Sequence, residues 1–270
     1  MELRNHTVLI TGGTCGIGLE LARRLLERGN TVAVTGRDRK KIEEARAASP
    51  ALHVYESDVS DPLAIRALHE QVVAELPALD VLVNNAGIMR NLNLNEERSL
   101  DDVTKELEIL LRGPMQMVQQ FLPHLRMRSE ALIVNVSSGL AFIPFPISPV
   151  YSAAKAGLHA YTLCLRAQLA GSRVNVVELA PPGTETALFR REFAKEVKGQ
   201  KAMSTEKLVT IAIAGIERGK TEIRPGQANA LKALSRLAPN LIFKQMVKMT
   251  MPHGMLSRLI LQGEVAEPPR

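Results

Sequence analysis

The stretch Thr7-Val-Leu-Ile-Thr-Gly-Gly-Thr-Cys-Gly-Ile-Gly18 decides the fold of this chain. Its first half is a short apolar run rich in β-branched residues, which predicts a buried strand. A glycine-rich turn follows, and apolar residues then recur at helical spacing as far as Gly29. Because a second strand-like run comes next, at 31–35, the pattern predicts a strand–helix–strand unit. Its glycines let the backbone approach a pyrophosphate at a helix N-terminus.

The alternation of strands and helices continues along the chain. Strand-like runs lie at 7–11, 31–35, 52–56, 80–84, 131–137, 173–179 and 220–224, and helical segments lie at 16–28, 61–75, 99–126, 150–170 and 205–218. This order is typical of a parallel sheet covered on both faces, so we expect an α/β fold with a Rossmann-type doubly wound parallel sheet. We assign residues 1–225 to this single domain and 226–270 to a C-terminal extension. Ligands of such sheets bind at the carboxyl ends of the strands.

Tyr151 and Lys155 form the second informative pattern. They are four residues apart in a predicted helix, so their side chains share one face, about one turn apart. An ammonium beside a phenol favours the phenolate, and we therefore expect the pKa of Tyr151 to lie below its usual value of about 10. Ser138 ends an apolar run thirteen residues upstream. Such a tyrosine exchanges a proton with a carbonyl or alcohol oxygen, which predicts redox chemistry if a hydride carrier binds.

Together these motifs resemble the short-chain dehydrogenase/reductase family. The resemblance covers about residues 5–190 and rests on Thr11-Gly-x-x-x-Gly-x-Gly18, Asn84-Asn-Ala-Gly87, Ser138 and Tyr151-x-x-x-Lys155. It implies that Tyr151 is the general acid and base, that Lys155 holds the nicotinamide ribose and lowers the tyrosine pKa, and that Ser138 orients the substrate oxygen. Hydride would pass between nicotinamide C4 and the substrate carbon. It also implies a homodimer or homotetramer built on the helices at 99–126 and 150–170.

The resemblance further implies which residues bind the cofactor besides Tyr151 and Lys155. These residues are Gly12, Thr14, Cys15, Gly16, Ile17 and Gly18 in the phosphate loop, Asp58, Val59, Asn85, Ala86 and Gly87 around the adenosine, and Pro181, Thr184 and Thr186 at the nicotinamide carboxamide. For the last segment an alternative is that it simply caps a helix at 187–193.

The end of the second strand bears on the choice between NADP(H) and NAD(H). The NAD form of this fold has an acidic residue there, about 20 residues past the glycines. This chain has Gly36 followed by Arg37, whose guanidinium suits a 2′-phosphate, so we favour NADP(H). Two alternatives stay open. In the first, Asp38 binds the ribose hydroxyl groups of NAD. In the second, Asp38 is the N-cap of a helix, and Arg37 and Lys40 are simply exposed to solvent at its start.

One position departs from the family pattern. The family has an asparagine three residues before a glycine in the central helix, where it is thought to hold a water that links the lysine to solvent. Here Leu110 stands three residues before Gly113, and a leucine side chain cannot hydrogen-bond. Three consequences of Leu110 stay open. Another water path serves the lysine, turnover is slow, or the protein binds nucleotide with little catalysis.

Composition and charge favour one class of protein. A chain of 270 residues that is 46% hydrophobic can bury one large core, and no apolar stretch approaches 18 residues. The N-terminus has no pattern of a secretory signal, and Cys15 and Cys164 lie in unrelated elements, so we expect a reduced, cytoplasmic protein. No metal site is predicted. Nucleic-acid binding is not expected, because aromatic content is only 3% and no recognition motif is present.

The last fifth of the chain is basic and amphipathic. Residues 218–270 hold nine Lys or Arg against three Glu, which matches the net charge of +6 for the whole chain. Apolar residues recur there at helical spacing, with a break at Pro239. Such helices pack on the core or a partner subunit, close the substrate pocket as a lid, or lie on an anionic membrane surface. We favour packing or a lid.

Two functions follow from these patterns. The first is an NADP(H)-dependent oxidoreductase for a hydrophobic carbonyl or alcohol, since the apolar segment 139–150 flanks the substrate pocket in this family. The alternative role of that segment is structural, with Phe142 and Ile143 packing on a neighbouring subunit. The second function is a catalytically weak nucleotide-binding relative that acts as a sensor or scaffold. The intact set of Ser138, Tyr151 and Lys155 favours the enzyme.

Overall fold

The computed structural model describes residues 1–191, 193 and 202–250. The strands are β1 (Thr7–Ile10), β2 (Thr31–Gly36), β3 (His53–Glu56), β4 (Leu79–Asn84), β5 (Ala131–Val136), β6 (Val174–Leu179) and β7 (Glu222–Ile223). They form one sheet in the order β3-β2-β1-β4-β5-β6-β7, and all the strand pairs are parallel. The expected doubly wound, Rossmann-type α/β fold is confirmed.

Helices cover both faces of this sheet. They are α1 (Gly16–Leu26), α2 (Arg39–Ala48), α3 (Pro62–Glu75), α4 (Leu100–Leu107), α5 (Gly113–Arg126), α6 (Pro149–Gln168), α7 (Ala187–Arg191), α8 (Thr205–Glu217), α9 (Gln227–Leu237) and α10 (Pro239–Thr250). Neighbouring residues of β1 face opposite cores. Leu9 belongs to the cluster that α3, α5 and α6 cover, whereas Val8 and Ile10 belong to the cluster beneath α1, α2 and α8. Each strand is thus buried on both sides, which explains its unbroken apolar run.

The order of the strands places the site. β1 pairs with β2 on one side and with β4 on the other, so the winding reverses between β1 and β4. A crevice forms at such a reversal, beyond the carboxyl ends of the strands. The segments that follow β1, β2, β3, β4, β5 and β6 all begin at this edge, and they carry the predicted site residues.

The predicted helix at 99–126 is not regular. A π-helical turn, Glu108–Arg112, separates α4 from α5, and the Gly113 N–H bonds to the Glu108 carbonyl five residues back. Pro114 provides the reason, because it has no N–H for the Leu110 carbonyl and its ring clashes with that group in an α-helix. The predicted strand at 220–224 is also shorter, since only Glu222 and Ile223 pair with β6.

The tail folds back on the chain as two helices, α9 and α10, that meet at the predicted break. Ile143 is buried against Ile242 and Met246 of α10. A Cβ added at Gly139 would lie 3.3 Å from the Leu231 side chain of α9. The tail therefore packs on the segment 139–145. Ile143 is buried within its own chain, so its predicted packing on a neighbouring subunit is wrong. Residues 251–270, which belong to the predicted extension, lie outside the described residues.

Candidate active site

The phosphate loop is built from close backbone approaches. Gly12 has φ +64°, and a Cβ there would lie 2.7 Å from the Ala86 Cα. A Cβ at Gly18 would lie 2.5 Å from the Asn85 side chain. Asn85 holds the loop in place by donating from Nδ2 to the carbonyls of Thr11 and Gly12, at 3.0 and 3.1 Å. The Asn85 side-chain amide therefore binds the protein backbone, and the neighbouring residues Ala86 and Gly87 remain to line the predicted adenosine site.

The start of α1 fits a pyrophosphate. Cys15 stands at its N-cap position and makes no side-chain cap, whereas α2, α3, α4 and α8 are each capped by an Asp or Ser side chain. The first N–H groups of α1 are thus left for another acceptor, and the helix dipole favours an anion there. Gly16 has φ +58°, and a Cβ there would reach only the Thr186 side chain, at 3.4 Å. The loop leaves room for a dinucleotide.

Arg37 and Asp58, predicted for opposite ends of the adenosine, form an ion pair with each other. The Arg37 Nη1 lies 2.9 Å from Asp58 Oδ2, and the Arg37 side chain is 49% exposed. Burial raises the pKa of the Asp58 carboxyl, but hydrogen bonds from Ser60 and the pair with Arg37 outweigh it, and the pKa is lowered. Asp58 therefore stays ionised and holds the guanidinium over the end of β2.

The neighbouring acid has another role. Asp38 caps α2 by accepting from the Lys41 N–H at 3.3 Å, as one of the alternatives predicted. Gly36 is also constrained, because a Cβ there would lie 2.7 Å from the Thr14 side chain. Since Gly36 packs on the phosphate loop, an acidic side chain at the position where the NAD form of the fold has one would require Thr14 to move.

Tyr151 and Lys155 lie on α6, and Ser138 follows β5 at the same edge of the sheet. All three are buried, with exposures of 9%, 5% and 8%. Ser138 lies close enough to Tyr151 for its side chain to lower the pKa of the phenol. Lys155 Nζ lies 5.8 Å from the centre of the Tyr151 ring and donates to the Val136 carbonyl at 2.7 Å. The structure thus brings the three predicted catalytic side chains together.

The protonation states differ from the sequence prediction. The pKa of Tyr151 is raised to about 12. Burial is the main cause, Ser138 acts in the opposite direction, and the Glu106 carboxylate adds a smaller increase. The predicted net lowering of the Tyr151 pKa is wrong for this structure, because burial dominates and the Lys155 amine bonds to the Val136 carbonyl instead of the phenol. Burial also lowers the pKa of Lys155 to about 8. At neutral pH the phenol carries its proton, which is the state that a general acid needs.

Glu106 is a buried carboxylate that no pattern in the sequence indicates. It lies on α4 with no exposed surface, and its Oε1 accepts from the Arg90 N–H at 3.0 Å. The Arg90 guanidinium lies 3.6 Å from the other oxygen. The same arginine pairs with Asp102 at 2.7 Å. In the sequence Glu106 is one of several acids in a polar stretch, and only the fold places it near Tyr151.

The sequence patterns also do not indicate a second buried carboxylate, Glu178 on β6. Ser137 Oγ donates to it at 2.5 Å, and His159 Nδ1 lies 2.7 Å from its other oxygen. With Glu222 on the next strand, His159 and Glu178 bring ligand atoms within 4.8 Å of one another, as a metal site would. However, Glu222 already pairs with Lys232, at 2.5 Å, and with a neighbouring arginine, so the charge is balanced without a cation. The absence of a metal stays a prediction.

The carboxamide segment after β6 is held by its own hydroxyl groups. Thr184 Oγ1 donates to the Pro182 carbonyl at 2.9 Å, and Thr186 Oγ1 accepts from the Phe189 N–H at 3.3 Å. The alternative in which Thr186 caps the following helix therefore agrees with the contacts. The Pro181 carbonyl accepts from the Gly139 N–H at 2.8 Å. This bond ties the segment to the turn that begins at the catalytic serine.

Leu110 sits in the core instead of lining a water path. Its side chain has no exposed surface and belongs to the apolar cluster beneath α3, α5 and α6. A Cβ on Gly87 would lie 3.2 Å from Leu110 Cδ2. The side chain thus fills the space behind the segment that follows β4, and an asparagine would put an amide there.

For Leu110→Asn we expect lower stability and no gain in turnover. Replacing a buried leucine by a polar group of similar size costs about 2–5 kcal/mol, through lost apolar burial and an unpaired amide. Thermal unfolding should show a Tm lowered by several degrees, while Leu110→Met stays close to the parent protein. An asparagine variant with unchanged Tm and a faster rate would contradict this expectation and show that a proton path had been restored.

Comparisons with known proteins agree on the family. The model of the short chain dehydrogenase family matches residues 6–197. An uncharacterised oxidoreductase, DltE of Bacillus subtilis, is 41% identical over 249 residues, which are 91% of this chain and 98% of the relative.

Two solved structures share the fold. A short chain dehydrogenase from Burkholderia cenocepacia in complex with NADP matches with a TM-score of 0.78 and 23% identity, over 93% of this chain and 100% of the other. A relative from Burkholderia phymatum in complex with NAD matches with a TM-score of 0.78 and 20% identity, over 90% and 96%.

Proposed function

The chain belongs to the short-chain dehydrogenase/reductase family of oxidoreductases, and on that premise we propose that it is an NADP(H)-dependent reductase of a hydrophobic carbonyl compound. One observation carries the proposal: a protonated, buried Tyr151 lies near Ser138 and Lys155, at the edge of the sheet where the phosphate loop opens. The family binds a nicotinamide cofactor, whose ring supplies or accepts the hydride when bound. The protein must supply the proton and orient the substrate.

The side chains divide these tasks. Ser138 Oγ accepts from the Leu140 N–H at 3.1 Å, which fixes the hydroxyl beside the phenol. Tyr151 donates its proton to the substrate oxygen as negative charge develops there. Lys155 is anchored on the Val136 carbonyl, so its ammonium stays within 6 Å of the ring. Its positive charge stabilises the negative charge left on the phenolate after proton transfer.

The preference for NADP(H) rests on the charges after β2. Arg37 is exposed on one side and is oriented by Asp58, while Asp38 is used as a helix cap. Lys41 Nζ lies 4.0 Å from Cys15 Sγ in the phosphate loop and adds a second cation on this side. Two cations and no acid facing the ribose favour a 2′-phosphate over free hydroxyls.

Arg37→Gln is expected to weaken NADPH binding by about tenfold to a hundredfold, because hydrogen bonds to charged groups contribute about 1.5–3 kcal/mol. Binding of NADH should change little, and both dissociation constants can be read from nucleotide fluorescence. Arg39→Gln is the matched control, since Arg39 lies two residues further on at the start of α2, is 85% exposed and pairs with Glu56. Equal losses for NADPH and NADH would rule out a phosphate contact.

A hydrophobic substrate is proposed from the walls beside Tyr151. Leu140, Phe145 and Phe189 pack against the cluster that contains the tyrosine ring, and the rings of Phe145 and Phe193 lie 5.9 Å apart. α9 and α10 cover the segment 139–145 from the other side, which supports a lid or packing role for the tail.

The assembly and the location are also proposals. Met115 on α5 and Leu163 on α6 are 41% and 42% exposed, which supports a homodimer or homotetramer built on these helices. Cys15 and Cys164 are both free, which supports a cytoplasmic protein. None of the helices that the structure describes is long and apolar enough to cross a membrane.

Leu237 and Leu241 are 83% and 66% exposed beside lysines of α10, so contact with a membrane surface remains the alternative role of the tail.

The experiment that tests the function measures binding and turnover together. NADPH and NADH are titrated by fluorescence, and NADPH oxidation is then followed with a panel of apolar ketones and aldehydes. Tight NADPH binding with turnover supports the reductase. Tight binding with no turnover across the panel would contradict it and favour the nucleotide sensor, and weak binding of both nucleotides would contradict both functions.

A further inference from the structure

Glu178 is a fully buried carboxylate whose two partners both lie close to Lys155. Ser137 directly follows Val136, whose carbonyl accepts from Lys155 Nζ. His159 lies one helical turn after Lys155 on α6.

Glu178 lies on β6, in register with Asn135 of β5 and Glu222 of β7, and none of its surface is exposed. Hydrogen bonds hold both of its oxygens, one from Ser137 Oγ at 2.5 Å and one shared with His159 Nδ1 at 2.7 Å. An ionised carboxylate requires such partners in a buried place. Its orientation is therefore fixed by β5 on one side and by α6 on the other.

Charged and titratable groups approach Glu178 from β7 and from α6. On β7 the charged group near it is Glu222, which is paired with Lys232 of α9 at 2.5 Å and with Arg224 at 2.8 Å. On α6 the groups are Lys155 and His159, and His159 is a counter-charge only when it is protonated. Because Glu222 is already compensated from the tail side, Lys155 is the permanent candidate for the counter-charge of Glu178.

Lys155 needs a negative charge in its surroundings. Burial lowers its pKa to about 8, and Glu178 is the group that raises it. Among the other described residues near the site, Val136 offers a neutral carbonyl and Leu110 offers no hydrogen bond. Tyr151 is neutral at physiological pH. Without Glu178 the pKa of Lys155 would fall further, and a neutral amine would not stabilise negative charge on the Tyr151 phenol.

We propose that Glu178 is a positioning residue of the catalytic site, whose carboxylate keeps the buried amine of Lys155 in its charged form. The consequence for proton transfer by Tyr151 rests on the proposed reductase function. The effect on Lys155 itself does not, because it is a property of the protein without nucleotide.

The test is a pH titration of the full chain with ¹³C-labelled lysine, followed by NMR in the absence of nucleotide. The Lys155 signal is identified by its loss in Lys155→Met. In Glu178→Gln the amide keeps the shape of the side chain and can still bond to Ser137 and His159. We expect the midpoint of the Lys155 titration to fall by about one pH unit, the size typical of removing an opposite charge nearby.

Two variants separate a charge effect from a packing effect. Glu178→Asp restores the charge and should return the midpoint most of the way to the parent value. Glu222→Gln removes the register neighbour, whose charge is already compensated, and should move the midpoint much less. An unchanged midpoint in Glu178→Gln, or an equal shift in Glu222→Gln, would overturn the proposal.

A reciprocal measurement keeps Glu178 in place, in case its variants do not fold. Removing the ammonium in Lys155→Met should change the ¹³C chemical shift of the Glu178 carboxyl at neutral pH, since coupling between two sites is mutual. No change in that signal would also overturn the proposal. A protein that shows both shifts but oxidises no NADPH would contradict the proposed function alone.

Discussion

Replacing Tyr151 by phenylalanine is expected to abolish turnover while NADPH still binds. The ring stays in its apolar cluster, so the fold and the pocket keep their shape. What disappears is the hydroxyl that lies near Ser138 and carries the proton. Proton transfer by a positioned side chain contributes about a hundredfold to ten-thousandfold, and the loss in kcat should fall in that range. Steady-state NADPH oxidation with the best substrate of the panel measures it.

The matched control is Tyr161→Phe. Tyr161 lies ten residues further along the same helix, and its partly buried ring packs on the same cluster. Loss of its hydroxyl should leave kcat within about twofold, as expected for a side chain that touches no reacting atom. If Tyr151→Phe keeps most of the activity, Tyr151 is not the acid. Loss of NADPH binding as well would point to damage of the pocket.

The sequence predicted the fold because the signals are local and repeated. The main strands of the sheet are apolar runs bounded by turn residues, and several of them are followed closely by a predicted site residue, as β4 is by Asn85 and β5 is by Ser138. Parallel strands align these ends at one edge, so the grouping of Tyr151, Lys155 and the phosphate loop followed from topology. The predicted boundaries differ most at β7, whose two residues pair with a single strand.

The electrostatics of the site could not be predicted from spacing. Four residues on a helix place Lys155 near Tyr151, but they do not fix where the ammonium hydrogen-bonds, and the Val136 carbonyl comes from another element. Burial then decides the pKa of both groups. Glu106 and Glu178 are two further examples. Glu106 is one of several acids in a polar stretch, and Glu178 is a single acid in an apolar run, so neither pattern indicates that the carboxylate is buried near the catalytic pair.

Gly12→Ala is the substitution in the cofactor site with the largest expected effect on binding. Two separate constraints act on this glycine. Its φ of +64° strains any residue with a Cβ, and that Cβ would lie 2.7 Å from the Ala86 Cα, where the backbone must move to make room. Both changes open the loop that Asn85 ties together. We expect the Kd for NADPH to rise by about a hundredfold, which corresponds to about 2.8 kcal/mol, together with a lower Tm.

Gly171→Ala isolates the first of these constraints. Gly171 also has a positive φ, of +80°, but an added Cβ there would meet nothing within 4 Å. The left-handed conformation alone costs about 1–2 kcal/mol, so this variant should lower the Tm and leave the Kd for NADPH unchanged. If both variants bind NADPH like the parent protein, the loop does not hold the pyrophosphate. If Gly12→Ala alone loses binding, the close approach to Ala86 shapes the nucleotide site, and backbone strain by itself does not account for the loss.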